Sequence, residues 1–371
     1  MSDSPEPLSC GGCGTDIAQE SLDPQIKRKI ARQPCFNREA SRVFGRIHLA
    51  VAPECNVQCN FCLRDFDCVN ESRPGVTSQV LSPEGALERV RQITDRFDNI
   101  CTIGIAGPGE SLFNEATIKT FRLARDAFPG LHLCVSSNGL LLPDRVDILH
   151  ELGVDTVTVT MSAVDPKVGA EIYSWVYYED KYYRGIEGAE LILSRQLDGI
   201  MMAVEKGMLV KVNSVMIPGV NDHHMTAIAQ KASELGAFMQ NIMPLIPQYK
   251  FAHLKPPAAK ERKQAQDEAS QYIRQMRHCR QCRADAIGLL GKDLSQEFFK
   301  PAPITESKSE TPAHTVALTS STPDGMVDLH FGNAPIFLIY ELSGEKPRLV
   351  RKGDNSRLSA KLLSGWPVNA Q

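Results

Sequence analysis

The 371-residue chain contains no run of about 18 consecutive apolar residues, so nothing in it predicts a membrane-spanning helix. Its N-terminal MSDSPEPLSC has neither a positively charged start nor an apolar core, which excludes the pattern of a secretory leader. Excess charge is equally scarce: 41 Lys and Arg stand against 44 Asp and Glu, a formal net charge of −3, and like charges form no block. This excludes the global basic field that draws nucleic acid. No internal repeat is found. The expectation is a soluble, cytoplasmic, monomeric protein with no nucleic-acid or membrane partner, whose partners are chosen by a site.

Present instead are 42% hydrophobic residues, enough for a core of barrel size, and 11 cysteines. A reducing compartment argues against a disulfide framework, and an odd count leaves pairing incomplete. Metal or cluster ligation becomes the leading use of the sulfur.

The polar, cysteine-bearing residues 1–40 read as an extended arm with a short helix over 24–32. From residue 41 to 299 short β-rich runs alternate with amphipathic stretches. The runs are RIHLAVA (46–52), ICTIGIA (100–106), LHLCVS (131–136), VDTVTVTM (154–161), MLVKVNSVMI (208–217) and GAFMQNIM (236–243). Helices are predicted from Ser82, with Pro83 in the first turn, and over 114–128, 143–152, 184–206, 222–235 and 258–277. Strands separated by helices imply βα units and a parallel sheet, and six of them suit a partial (βα)6 barrel of α/β class. KPAPITESKSETPA (300–313) reads as a linker, and 314–371 opens a new β pattern, HTVALTS and APIFLIYEL around a turn-like TPDG.

Residues 54–69, ECNVQCNFCLRDFDCV, hold four cysteines in fourteen positions. Cys55, Cys59 and Cys62 form C-x3-C-x2-C at the C-terminal end of the first strand, where barrel-like folds gather reactive groups. Three thiolates suit a cubane iron-sulfur cluster with one iron open to another ligand. A structural zinc site completed by Cys279 and Cys282, or unrelated buried thiols, are the other readings of the residues.

The triplet, with Phe61 before its last cysteine, resembles the radical S-adenosylmethionine (SAM) superfamily. That resemblance implies a 4Fe-4S cluster whose unique iron is chelated by SAM and whose reduction cleaves SAM to a 5′-deoxyadenosyl radical. AGPGES resembles the turn that holds the SAM amino group, with Gly107, Gly109 and Glu110. SSNG and MSAVDP, carrying Ser136, Asn138 and Ser162, offer ribose and carboxylate contacts; each of these segments also reads as an ordinary turn.

The flank CNVQCNFCLRDFDCVNESRPGVTS, with IYSWVYY (172–178), SVMIPGVND (214–222) and NIMPLIP (241–247), is similar to the NifB-like family of nitrogenase cofactor maturases over about residues 24–300. The family resemblance implies fusion of two further 4Fe-4S substrate clusters around a SAM-derived carbide, giving the 8Fe-9S-C precursor of the iron-molybdenum cofactor. It also implies cluster-donor or scaffold proteins and downstream cofactor carriers as partners. Cys35, Cys68 and Cys134 are the candidates for one substrate cluster, and Cys279 and Cys282 with Cys13 or Cys10 for the other. Cys101 is expected as apolar filler. Gln33 stands where the family pattern has histidine, and an amide is a poor iron ligand; His48 is a conceivable substitute but is expected to be a packed core histidine. Glu71, Ser72 and Arg73 flank the cluster loop, with Arg73 suited to balancing an anionic cluster.

The segment from His314 resembles the start of the NifX-like, ribonuclease H-like domain. His330 sits in its HFG motif, Asn333 replaces a histidine, and an incompletely folded appendage is expected. A cluster carrier without radical chemistry, and a radical enzyme using Cys279 and Cys282 for auxiliary clusters, remain open at this point.

Overall fold

A computed structural model describes residues 22–63, 68, 79–298, 314–320, 336–342 and 348–354. Cys10, Cys13, Glu71, Ser72, Arg73, the linker, His330 and Asn333 lie outside the described residues. The chain divides into two compact units, Met1–Lys300 and Pro301–Gln371.

In the first unit α1 (Pro24–Ile30) and α2 (Ala40–Val43) precede β1 (Gly45–His48) and β2 (Val57–Cys59). There follow α3 (Pro83–Thr94), β3 (Ile100–Ile105), α4 (Glu115–Ala127), β4 (His132–Ser137), α5 (Leu142–Glu151) and β5 (Val154–Thr160). Next come α6 (Pro166–Ile172), β6 (Tyr173–Tyr178), β7 (Lys181–Tyr183), α7 (Gly185–Glu205), β8 (Leu209–Met216), α8 (Met225–Glu234) and β9 (Met239–Pro244). The unit closes with α9 (Ala259–Ala269), β10 (Arg274–Gln275), β11 (Ile287–Leu289), β12 (Lys292–Asp293) and α10 (Ser295–Phe298).

One nine-stranded sheet runs in the order β10-β9-β8-β5-β4-β3-β1-β11-β12. The six expected strands β1, β3, β4, β5, β8 and β9 are its consecutive parallel members, so the α/β, partial-barrel class is observed. The edge beyond β1 is closed by β11, which pairs antiparallel with it.

Local chemistry explains the elements. At α3 the Ser82 hydroxyl accepts from the Gly85 N–H at 3.1 Å, Pro83 occupies the first turn, and Ala86, Val90 and Ile93 form the buried face. Along β4, buried Leu133 and Val135 alternate with half-buried Cys134 and Ser136. The apolar set, with Ile47, Ile103, Ile105, Val157, Val159, Val210 and Val212, packs under the helices, each such side chain stabilising the fold by about 1.5–3 kcal/mol. The alternating set is polar: Arg46 and His48, Thr102 and Gly104, Cys134 and Ser136, Thr156 and Thr158, Lys211 and Asn213. The interior of the sheet's curve is therefore lined by polar groups.

One sequence expectation is corrected. The helix over 258–277 ends at Ala269, and Arg274–Gln275 instead pairs parallel with β9. The Ser270 hydroxyl donates to the Asp267 carbonyl at 2.6 Å, competing with helical bonding, and Ile273 turns into the core at 6% exposure. IYSWVYY is a hairpin strand: β6 turns into β7 through Glu179 and Asp180, both at positive φ, and β6 also pairs antiparallel with β2.

The second unit contains β13 (His314–Ser320), β14 (Ile336–Leu342) and β15 (Arg348–Asp354). Both neighbouring pairs are antiparallel, with His314 opposite Leu342 and Ile336 opposite Asp354. The first two strands match the expected runs; the third was not anticipated.

Candidate active site

The cysteine loop is held by backbone on both sides. Val57, Gln58 and Cys59 pair with Val176, Trp175 and Tyr173, and the Asn60 N–H donates to the Ile172 carbonyl at 2.7 Å. The Gln58 amide closes the loop from within, donating to the carbonyls of Cys59 at 3.0 Å and Cys62 at 2.7 Å. Cys59 and Cys62 are buried and Cys55 is half-buried. The Cys68 N–H donates to the Pro108 carbonyl at 2.8 Å, which sets that cysteine against the AGPGES turn.

The same turn is locked to the residues preceding Cys55. The Gly109 N–H donates to the Ala52 carbonyl at 2.6 Å and the Glu110 N–H to the Glu54 carbonyl at 2.7 Å. A Cβ on Gly109 would lie 2.4 Å from the Glu54 oxygen, so what demands glycine here is contact with the cysteine loop itself. Gly107 adopts φ +113°, a conformation that favours glycine.

Glu110 is 2% exposed. Its carboxylate accepts from the Ser137 hydroxyl at 2.6 Å, the Asn138 N–H at 2.6 Å and the Leu112 N–H at 3.0 Å. Burial raises its pKa, opposed by those three bonds. Glu110 thereby ties the turn after β3 to the turn after β4. Asn138 donates to the Asn56 side-chain oxygen at 2.8 Å, reaching the cysteine loop. The Ser162 hydroxyl accepts from the Val215 N–H at 3.1 Å, and Asn221, which the sequence reading did not single out, donates to the Ser162 carbonyl at 2.7 Å. Ser136 is half-buried on the polar face of β4.

A second group of thiols gathers around the polar lining. Cys35 lies within electrostatic reach of Cys134, Cys282, Lys211 and Arg46; burial pushes its thiol up to about 12, with Lys211 pulling the other way. Cys279 accepts from the Asn241 amide at 3.4 Å, and Asn241 also donates to Asn213 at 3.1 Å. The ring Nε2 of His278 lies 3.1 Å from the Pro34 carbonyl, which anchors the Cys279–Cys282 loop to Gln33–Pro34–Cys35. The grouping of Cys35 and Cys134 with Cys282 crosses the division expected from the sequence. Beside Cys279 a cleft of about 370 Å³ is lined by Asn241, Pro257, Arg262, Arg280 and Gln281, among others.

Gln33 is fully buried. It donates to the Thr156 hydroxyl and accepts from that of Thr102, both at 3.2 Å, so it bridges β3 and β5. His48 is a packed histidine: Nδ1 lies 2.9 Å from the Arg283 carbonyl, and burial, then Arg46, lowers its pKa to about 4. Cys101 is buried with its sulfur 2.6 Å from the Arg32 carbonyl.

The sequence reading passed over Arg46, Lys211, Asn213, Asn241 and His278. The signal available for the first three was their alternation with apolar residues in RIHLAVA and MLVKVNSVMI.

Among the described residues no three His, Cys, Asp or Glu side chains are already grouped closely enough to enclose a metal ion. By donor chemistry the loop nevertheless suits an iron-sulfur cluster: three thiols on one tied segment are soft ligands preferred by such clusters. A buried side-chain nitrogen of Asn56, next to Cys55, also lacks a hydrogen-bond partner and is a donor available to a ligand.

Comparison with known proteins agrees. Residues 49–232 match the radical SAM superfamily, which brings SAM and one 4Fe-4S cluster as cofactors and makes the chain a radical SAM enzyme. Residues 313–365 match the family described as dinitrogenase iron-molybdenum cofactor. Among solved structures, Streptococcus suis SuiB is similar with a TM-score of 0.47 and 13% identity, over 69% of this chain and 54% of that one. Among the described residues no helix is long and apolar enough to cross a membrane. The FeMo cofactor biosynthesis protein NifB of Klebsiella pneumoniae is 41% identical, over 96% of this chain and 81% of that protein. NifB of Bradyrhizobium diazoefficiens is 40% identical over 91% and 76%, and that of Azotobacter vinelandii 37% over 92% and 78%. With such identity sustained over most of both chains, this chain belongs to the NifB family of FeMo cofactor biosynthesis proteins.

Proposed function

We propose that the protein joins two 4Fe-4S substrate clusters around a carbide derived from the SAM methyl group, producing the eight-iron precursor of the nitrogenase iron-molybdenum cofactor. The observation that carries this reading is the second set of thiols. Cys35, Cys134 and Cys282 gather around Arg46 and Lys211, on residues separate from Cys55, Cys59 and Cys62. Thiols outside the SAM-cluster triplet are what a second iron-sulfur site requires, and consumption of that cluster during turnover separates a substrate from an auxiliary cluster.

Cys55, Cys59 and Cys62 would hold the SAM-binding cluster, which when bound and reduced supplies the radical by cleaving SAM. The chain's own groups do the rest. The Gly107–Glu110 turn and Asn138 brace the cysteine loop; Thr156, Thr158 and Ser136 share the polar face of the sheet with Cys134. The Oγ1 of Thr158 is buried without a partner among the described residues, a donor available to a substrate sulfide. Cys68 and Cys279, and the arm cysteines Cys13 and Cys10, would complete substrate-cluster ligation, with Arg73 and Glu71 as further candidate residues of the reaction. Cluster-donor scaffolds and cofactor carriers are the partners this chemistry requires.

The test is SAM labelled at the methyl carbon. Reconstituted protein with a one-electron reductant is expected to form 5′-deoxyadenosine and S-adenosylhomocysteine and to retain label in an acid-labile cluster fraction. Cys282→Ala is expected to keep 5′-deoxyadenosine formation and lose the retained label. Equal label in that variant would contradict the assignment.

A further inference from the structure

Arg46 is the most deeply placed cation in this site, 2% exposed on β1. Its Nη1 donates to the carbonyls of Gly288 and Leu289, the second at 3.1 Å. Its Nη2 donates to the sulfur of Cys282 at 3.1 Å. Among the described residues its Nε has no hydrogen-bond partner. None of these partners is a carboxylate. A guanidinium stays charged in proteins, and holding a buried charge against neutral acceptors alone costs several kcal/mol. Clamping two carbonyls does not require a cation, since a neutral amide can also donate to a carbonyl, though less strongly. A buried guanidinium whose hydrogen-bond partners include no carboxylate, its idle donor and its bond to a thiol sulfur together describe a site that an anion would complete.

Three thiols supply what such an anion would bind to. Cys35 lies within electrostatic reach of Cys134, Cys282 and Arg46, and of Lys211 on β8 as a second cation. Iron-sulfur clusters held by thiolates are net anionic, and their potentials respond to nearby charge and to hydrogen bonds at sulfur.

We propose that Arg46 is a positioning and counter-charge residue for the substrate cluster bound at Cys35, Cys134 and Cys282. Its fork orients the Cys282 sulfur, and its charge favours the reduced, more negative form of the cluster. This rests on the reading that these thiols hold a substrate cluster.

The test uses the full chain reconstituted anaerobically with iron and sulfide, followed by redox titration monitored by electron paramagnetic resonance. Arg46→Gln keeps a donor for the carbonyls and removes the charge; Arg46→Lys keeps the charge. The wild type is expected to carry more than the roughly four irons of a single cluster, with a signal unaffected by SAM. In Arg46→Gln the reduction equilibrium of that signal should shift at least tenfold toward the oxidised form, about 59 mV more negative for one electron, while the SAM-responsive signal stays in place. Arg46→Lys should restore the equilibrium to within about threefold. Loss of the additional irons in Arg46→Gln with recovery in Arg46→Lys would support the same role. An unmoved potential in Arg46→Gln would overturn it. So would an equal shift or iron loss in both variants, because the carbonyl clamp would then be the cause. A wild type with only about four irons would remove the substrate-site reading, and this proposal with it, whatever the variants show.

Discussion

Replacing Gly109 with alanine tests whether the turn after β3 and the cysteine loop form one unit. The added Cβ would sit 2.4 Å from the Glu54 carbonyl oxygen and 2.5 Å from that of Pro53. Both are backbone atoms, so no rotamer change relieves the clash, and the two segments must part by more than about half an ångström. Parting them weakens the bonds from Gly109 N–H to the Ala52 carbonyl and from Glu110 N–H to the Glu54 carbonyl. Overpacking costs about 1–3 kcal/mol, and two weakened backbone bonds about 1 kcal/mol each. The expected loss is about 3–5 kcal/mol, a large share of a typical domain stability of about 5–15 kcal/mol. Because Glu54 precedes Cys55, the displacement also moves a cluster ligand, and 5′-deoxyadenosine formation should fall by about tenfold or more. Urea unfolding of the protein before reconstitution gives the first quantity, and chromatography of the SAM reaction the second. Gly130→Ala is the control, since nothing lies within 4 Å of its added Cβ. A Gly109→Ala protein with the unfolding midpoint of that control would refute the reasoning.

Cys59→Ala, on the buried middle of the loop, should abolish SAM cleavage and the SAM-responsive cluster signal; cleavage at the wild-type rate would rule out the ligand assignment. Gln33→Leu removes the amide bridging the hydroxyls of Thr102 and Thr156 and should lower the unfolding free energy by about 2 kcal/mol; an unchanged urea midpoint would show that the bridge contributes nothing. His48 titrates below its ordinary value when folded, so the folded state binds fewer protons than the unfolded one. Its contribution to stability is complete above about pH 6.5 and is lost as pH falls toward about 4, by roughly 3 kcal/mol. The stability difference between wild type and His48→Gln, measured in urea across that window, should follow this course, and a pH-independent difference would contradict it.

Much of this architecture was legible because the strands carry two signals at once. VDTVTVTM alternates threonine with valine, and the structure puts the valines under the helices and Thr156 against Gln33. All six parallel strands were legible as short β-rich runs between amphipathic stretches. The hairpin over 173–183 was not, because β2 has only three residues and its pairing with β6 depends on where the chain returns. The last helix was read too long because charged residues at helical spacing continue past Ser270, while Ile273 and Met276 are drawn into the core. Each candidate cysteine could be named from motif and position, but their grouping could not. Arg46 and Cys282 are 236 residues apart and meet only because β11 closes the sheet beside β1. The role of Arg46 was hidden for the same reason: a lone arginine in a short strand has no motif.

The central claim is that the chain holds iron-sulfur substrate in addition to its SAM-binding cluster. It is tested most directly by anaerobic reconstitution with iron and sulfide, counting iron per chain and recording the electron paramagnetic resonance spectrum with and without SAM. The account predicts about twelve irons, three cubanes, with one signal shifted by SAM and the others unmoved. About four irons, all in the SAM-shifted signal, would contradict it.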